Sequence, residues 1–278
     1  MAVFSDNPGL LEAWSLSPDG NLLAIVRWNG EEYNTLINLA NGTLLRDEVV
    51  PQSSPSSDDP LWPVYDAGKW QDNTHLYLSN IYSGSPMLVL LDTAKGQHQQ
   101  PDDLQPVLDM SDTACWDYDP STDGKTLFVV HCQSSTDAHN NLTFSGPSLI
   151  TVQNPLGGPL KVIYHNPTLA ISQVRAANST TLLFNVVHNA SRDTSQEGLW
   201  AIQTDGSHLT HIMNGHILLG NHCASLDGRF YALSIVHQQT NGYPTYTPMV
   251  GSLNGGALIS LPFGQDAAYH AIAGWTTM

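Results

Sequence analysis

One unit recurs along the chain: a short apolar segment, a tight polar turn, then a strongly apolar strand. It is seen first in Trp14-Ser-Leu-Ser-Pro-Asp-Gly20 followed by Asn21 to Arg27. It returns at Trp70 to Asn73 with Leu76 to Ser79, and at Trp116 to Gly124 with Thr126 to His131. A fourth copy, Val174 to Asn178 with Leu182 to His188, lacks the tryptophan, and a fifth runs from His222 through Asp227-Gly228 to His237. Strand formers and turns repeating at intervals of about 45 to 58 residues predict an all-β chain, a β-propeller of four-stranded antiparallel blades.

The remaining apolar runs supply the other strands of each blade, called A to D from the inside outward. Expected blades cover residues 11–48, 66–100, 113–165, 171–213 and 221–262, within one domain spanning 1–278. Turns between C and D fall at Asn41-Gly42, Ala94 to Gly96, Pro155 to Gly158, Asp205-Gly206 and Asn254 to Gly256, residues that tolerate positive φ in tight hairpins. The segment 268–278 adds a terminal strand: five blades plus the start of a possible sixth, or a strand that joins an existing blade. Left unpaired, such an edge invites self-association.

The Trp14-Ser-Leu-Ser-Pro-Asp-Gly20 segment, its Asp123-Gly124 and Asp227-Gly228 echoes, and the Leu199 to Thr210 run resemble the WD40-like propeller repeats of TolB-type proteins. The same repeats build the propellers attached to prolyl oligopeptidase-family peptidases. The resemblance implies architecture and leaves activity open, because this repeat builds binding modules, sensors and enzyme appendages alike. Asp72-Asn73 and Asn178-Ser179 depart from it where Asp-Gly is expected.

Charge narrows the partners. Nine basic residues against 25 acidic ones give a net charge of -16, so nucleic acid and anionic lipid surfaces would be repelled. No window approaches the roughly 18 apolar residues of a membrane span, and the N-terminus shows no signal-peptide pattern. A surface carried by Ser, Thr, Asn, Gln and Asp, with lysine only at positions 69, 95, 125 and 161, suits an extracellular or periplasmic setting. Four Asn-x-Ser/Thr sequons, at Asn41, Asn141, Asn178 and Asn189, are about what such a composition yields by chance. Folding a hairpin about Ser121 to Gly124 brings Cys115 and Cys132 nearly opposite one another, within disulfide range. Two small buried hydrophobes are the competing reading of that pair. Cys223 is left over and is expected to be buried.

Loop lengths point to a face. The A-to-B and C-to-D turns are short, whereas the connections 49–63, 133–147, 189–198 and 238–248 are long and share the opposite end. Long loops on a rigid scaffold carry binding. The expected ligand contacts are therefore aromatic and histidine residues of that rim: Trp62, Tyr65, His131, His188, His237, Tyr243 and Tyr246. Aromatic rims suit a protein, peptide or glycan. His131, His188 and His237 end the B strands of consecutive blades, but sheets about 10 Å apart keep three such rings from converging on one metal at about 2.1 Å. Carboxylate pairs at Asp58-Asp59, Asp102-Asp103, Asp109 with Asp112, and Asp117 with Asp119 could hold calcium, although no EF-hand is present. No other cofactor is expected.

No G-x-S-x-G, H-E-x-x-H or C-x-x-C motif occurs. Asp119 to Thr126 mimics the end of a phosphate-binding loop but joins two strands. Ser121 to Thr126 resembles a sialidase Asp box with its glycine one position early. The expected function is thus a non-catalytic binding module, a sensor ectodomain being one form of it. The alternatives are a metal-dependent propeller hydrolase or lyase, the propeller of a prolyl oligopeptidase-like peptidase, and an assembly unit completed by another chain.

Overall fold

The computed structural model describes residues 10–28, 32–50, 66–80, 87–95, 105–109, 117–136, 142–154, 156–187, 195–225, 227–237 and 245–261. These form twenty strands and one 3-10 turn, Thr93–Lys95. The strands make five four-stranded antiparallel sheets, each a meander in chain order: the blades of a β-propeller. Two compact units are present, Met1–Asp112 and Thr113–Met278.

The first unit holds two blades. One is β1 (Leu10–Leu16), β2 (Leu22–Trp28), β3 (Glu32–Asn38) and β4 (Thr43–Val50). The other is β5 (Asp66–Trp70), β6 (His75–Asn80), β7 (Met87–Asp92) and β8 (Gln105–Asp109). Its outer strand β8 lies beyond the expected limit at residue 100. Pro106 and the polar residues before β8 hide this strand in the sequence, and an edge strand tolerates that proline. Ala24, Leu36, Trp70, Leu76, Leu78, Val89 and Leu91 pack between the two sheets. The Trp70 indole N–H donates to the Ser15 carbonyl at 3.2 Å. A tryptophan is thus buried with its one polar group satisfied, as burial of an indole requires.

The second unit holds three blades. The third blade is β9 (Tyr118–Pro120), β10 (Leu127–Thr136), β11 (Leu142–Gln153) and β12 (Leu160–Asn166). The fourth is β13 (Ala170–Ala176), β14 (Thr181–Val187), β15 (Gly198–Gln203) and β16 (Thr210–Asn214). The fifth is β17 (Ile217–Ala224), β18 (Phe230–His237), β19 (Thr245–Ser252) and β20 (Ile259–Ser260). Phe128, Val130, Ile150, Ile171, Phe184 and Ile202 anchor one apolar layer between neighbouring blades, and Leu183, Leu199, Ile217, Tyr231 and Leu233 anchor the next. Each such side chain is worth about 1.5 to 3 kcal/mol on burial.

Residues 133–147, expected as a long loop, are largely β-ladder. Gln133 pairs with Ser145 and the register continues to Thr136 opposite Leu142. The run Gln133-Ser-Ser-Thr136 has no apolar alternation to mark it as strand. Main-chain pairing extends the hairpin. The terminal segment 268–278, with the expected extra strand, lies outside the described residues.

A candidate binding cavity at the short-turn end

Three of the five A-to-B turns are built from one Ser-x-Asp-Gly circuit. The hydroxyls of Ser17, Ser121 and Ser225 each donate to the aspartate two residues on, Asp19, Asp123 and Asp227, at 2.7 Å. That aspartate accepts the N–H of Asn21, Lys125 or Arg229 at 3.0, 3.2 and 3.1 Å. The serine oxygen in turn accepts the N–H of Leu22, Thr126 or Phe230 at 2.9, 3.0 and 2.9 Å. Gly20, Gly124 and Gly228 close the turn at φ of 73°, 71° and 64°, where a side chain would be strained. At the two blades that depart from the motif, Asx chemistry replaces the circuit. Asp72 Oδ1 takes the N–H groups of Thr74 and His75, both at 2.8 Å, and Asn178 Oδ1 takes that of Thr180 at 2.9 Å.

Within the second unit the first strands of successive blades are stitched by side chain to backbone bonds. Asp117 Oδ2 accepts the Val174 N–H at 2.6 Å and Asp119 Oδ2 accepts that of Ala176 at 2.7 Å. Gln173 exchanges two bonds with Leu219, donating to its carbonyl at 3.2 Å and accepting its N–H at 2.8 Å. The ladder of β17 with β18 breaks between Leu219 and Ala224. In that break Arg175 donates from Nε to the Gly220 carbonyl at 2.9 Å and from Nη2 to the Leu219 carbonyl at 3.3 Å. Its Nη1 reaches Asp117 Oδ2 at 2.7 Å and the Val174 carbonyl at 2.6 Å. Arg175 is buried, and desolvation works against its charge. The carboxylates of Asp117 and Asp119 more than offset that penalty and hold its pKa above the ordinary arginine value.

Over this floor opens a cavity of about 420 Å³, within the range of about 300 to 1,000 Å³ usual for ligand sites. Three A-to-B turns wall it, through Thr122, through Asn178 and Ser179, and through Ser225, Asp227 and Gly228. Space remains because Ala176, Ala177 and Ala224 line it with methyl groups only. Asn178 Nδ2 donates to the Gly228 carbonyl at 3.2 Å and ties two of the walls together. The Ser225 hydroxyl, the Arg229 N–H and the Arg229 guanidinium hold Asp227 well below the usual carboxylate range, at about 2.

Loop lengths point to the opposite end, and no single residue in the sequence marks this cavity. Of the residues expected at the long-loop rim, Trp62, Tyr65, His188 and Tyr243 lie outside the described residues. His131 is half-buried and its Nε2 is 2.8 Å from Thr151 Oγ1. His237 is exposed, with Nε2 at 3.0 Å from Thr247 Oγ1. In both blades the ring therefore bonds a threonine of the adjacent strand. Tyr246 is half-buried on β19. Among the described residues, no three His, Cys, Asp or Glu side chains come together to hold a metal. Cys132 is disulfide-bonded, and Cys223 is a buried thiol outside any disulfide. Cys115, the expected partner of Cys132, lies outside the described residues. No helix among the described residues is long and apolar enough to cross a membrane.

No protein-family model and no curated protein matches the chain. Solved structures do. A TolB of Agrobacterium tumefaciens superposes with a TM-score of 0.55 at 16% identity, over 91% of this chain and 81% of that one. The fold is a TolB-type propeller. A prolyl endopeptidase matches with a TM-score of 0.56 at 16% identity, over 92% of this chain but only 35% of the peptidase. An oligogalacturonate lyase in complex with manganese matches with a TM-score of 0.50 at 12% identity, over 89% of this chain and 63% of the lyase. At these identities the TolB-type likeness is one of fold.

Proposed function

We propose that the chain is a non-catalytic binding module that works outside the cytoplasm and takes a protein, peptide or glycan. The observation that carries this reading is the open cavity of about 420 Å³, walled by turn residues on a floor of cross-bonded strands. A rigid floor under short, hydrogen-bonded turns is a preorganised surface, and preorganisation lowers the entropic cost of binding. The disulfide at Cys132 supports an oxidising compartment. The long-loop rim of Trp62, Tyr65, His131, His188, His237, Tyr243 and Tyr246 is proposed as a further contact surface. Calcium at the loop carboxylates and self-association through 268–278 belong to the same proposal.

The test is selection from a displayed random-peptide library and a glycan array, run on the natural protein and on Ser179→Trp, which fills the cavity from an exposed position. Ligands retained by the first and lost by the second support the reading. If neither collection yields a ligand, the binding reading fails. A second reading makes the chain the propeller of a longer hydrolase and rests on its match to 35% of the prolyl endopeptidase. Labelling of the intact natural polypeptide by a fluorophosphonate would favour it.

A further inference from the structure

Composition accounts for the presence of Asn-x-Ser/Thr sequons, but the fold decides which of them can carry a sugar. The two that lie among the described residues, Asn41 and Asn178, are treated in opposite ways. Asn41 stands in the turn between β3 and β4, where Asn41, Gly42 and Thr43 are all exposed. The bonds that fix this turn do not use the side-chain amide nitrogen. Asn41 Oδ1 accepts the Thr43 N–H at 2.9 Å, and the Gly42 N–H donates to the Asn38 carbonyl at 2.8 Å. Gly42 has φ of 70°, and nothing lies within 4 Å of where a methyl group on it would point. The turn is held by its own hydrogen bonds and is open to a bulky substituent.

Asn178 is held the other way. It is half-buried, and its Nδ2 donates to the Gly228 carbonyl at 3.2 Å. A methyl group placed on Gly228 would come within 2.7 Å of the Asn178 Cβ, so the two turns meet closely at this point. A sugar on Asn178 Nδ2 would have to force apart the turns that this bond joins.

A second, independent observation lies beside Asn41. Leu39 and Leu44 flank its turn and are 43% and 46% exposed. Two large apolar side chains in water next to one sequon are a surface that a glycan covers, because the C–H faces and acetyl methyl groups of its first sugars pack on apolar atoms while its hydroxyls face solvent.

We propose that Asn41 is an N-glycosylation site and that Asn178 stays bare. The inference rests on the extracytoplasmic part of the reading above, which the disulfide at Cys132 supports. The donor is an oligosaccharide linked to a polyprenyl diphosphate. A bond forms between Asn41 Nδ2 and the anomeric carbon as the bond from that carbon to the phosphate oxygen breaks. The diphosphate leaves with the electron pair, and the nitrogen gives up one proton to the transferase. Thr43 supplies the hydroxyl that the acceptor sequence requires two residues on.

The experiment secretes the full chain from cultured mammalian cells behind a cleavable leader. The folded product is treated with peptide N-glycosidase in heavy-oxygen water, which marks each glycan-bearing asparagine as a labelled aspartate, and its peptides are mapped by mass. Most molecules should carry the label at Asn41 and none at Asn178. Thr43→Ala should abolish the label at Asn41, and Thr43→Ser should retain it. Both changes leave the backbone bond of Thr43 to Asn41 in place, and the side chain they alter is exposed, so the melting temperature should be unchanged. A bare Asn41, a label that persists in Thr43→Ala, or an Asn178 as fully occupied as Asn41 overturns the proposal. The two readings fail separately. A bare Asn41 in a chain that still selects library ligands sinks the glycan alone, and a glycosylated chain that selects none sinks the binding reading alone.

Discussion

Asp227 shows how much a single carboxylate does in a turn that closes without a long loop. It accepts from the Ser225 hydroxyl, from the Arg229 N–H and from the Arg229 guanidinium at 2.6 Å. Its folded pKa of about 2 lies below an unfolded value of about 3.9. The sign follows from linkage. The turn's contribution is fully present above the unfolded value and is lost as pH falls through about 2. Asp227→Asn should therefore lower the melting temperature at pH 7, and the gap to the natural protein should close as pH is reduced from about 4 toward 2. Melting curves across that window check it, and a gap independent of pH would refute the role given to the charge. Arg175 and Asp117 make the complementary case, a buried pair with side chains 4% and 17% exposed. Arg175→Met strands Asp117 and should cost about 3 to 5 kcal/mol, whereas the double change with Asp117→Leu should recover part of that loss. Urea unfolding of the two single variants and the double variant gives the coupling. A double variant no more stable than Arg175→Met would contradict it.

At the scale of strands and turns, most of the order was readable because local chemistry and tertiary structure agree. The Ser-x-Asp-Gly turns were visible as sequence, and Leu127 to Val130 or Thr181 to Val187 could be little other than buried strands. What escaped was pairing without a side-chain signature. The strand segment from Gln133 to Thr136 is polar on every residue, and β8 begins at Gln105-Pro106. Glycines separate the two kinds of constraint. Gly20 sits at φ 73° with nothing within 4 Å of where an added methyl would lie, so Gly20→Ala should cost only the left-handed backbone penalty of about 1 to 2 kcal/mol. Gly198 sits at φ 132°, and a methyl there would collide with the Met213 carbonyl of the neighbouring strand. Gly198→Ala should cost on the order of 3 kcal/mol or more, because β15 must part from β16. Denaturant midpoints rank the two, and equal costs would show that β15 and β16 can shift freely.

For the whole chain, the decisive residues of the cavity were legible one at a time and illegible together. Asp119, Arg175, Asn178 and Asp227 are spread over three blades, and each reads locally as turn or strand chemistry. Only the stacking of β9, β13 and β17 brings them to one opening. Loop length pointed to the opposite end because it registers where chain is spent and carries no information on where short turns leave room. The net charge of -16 bears directly on stability. Self-repulsion among 25 acidic and nine basic residues opposes the folded state, so raising salt from about 0.01 M to 0.15 M, which shortens the screening length from about 30 Å to 8 Å, should raise the melting temperature. Melting curves measured on one salt series test the trend. A melting temperature that stays flat or falls across the series would refute the role given to self-repulsion, and the surface carboxylates would then be held apart well enough for their charges not to matter.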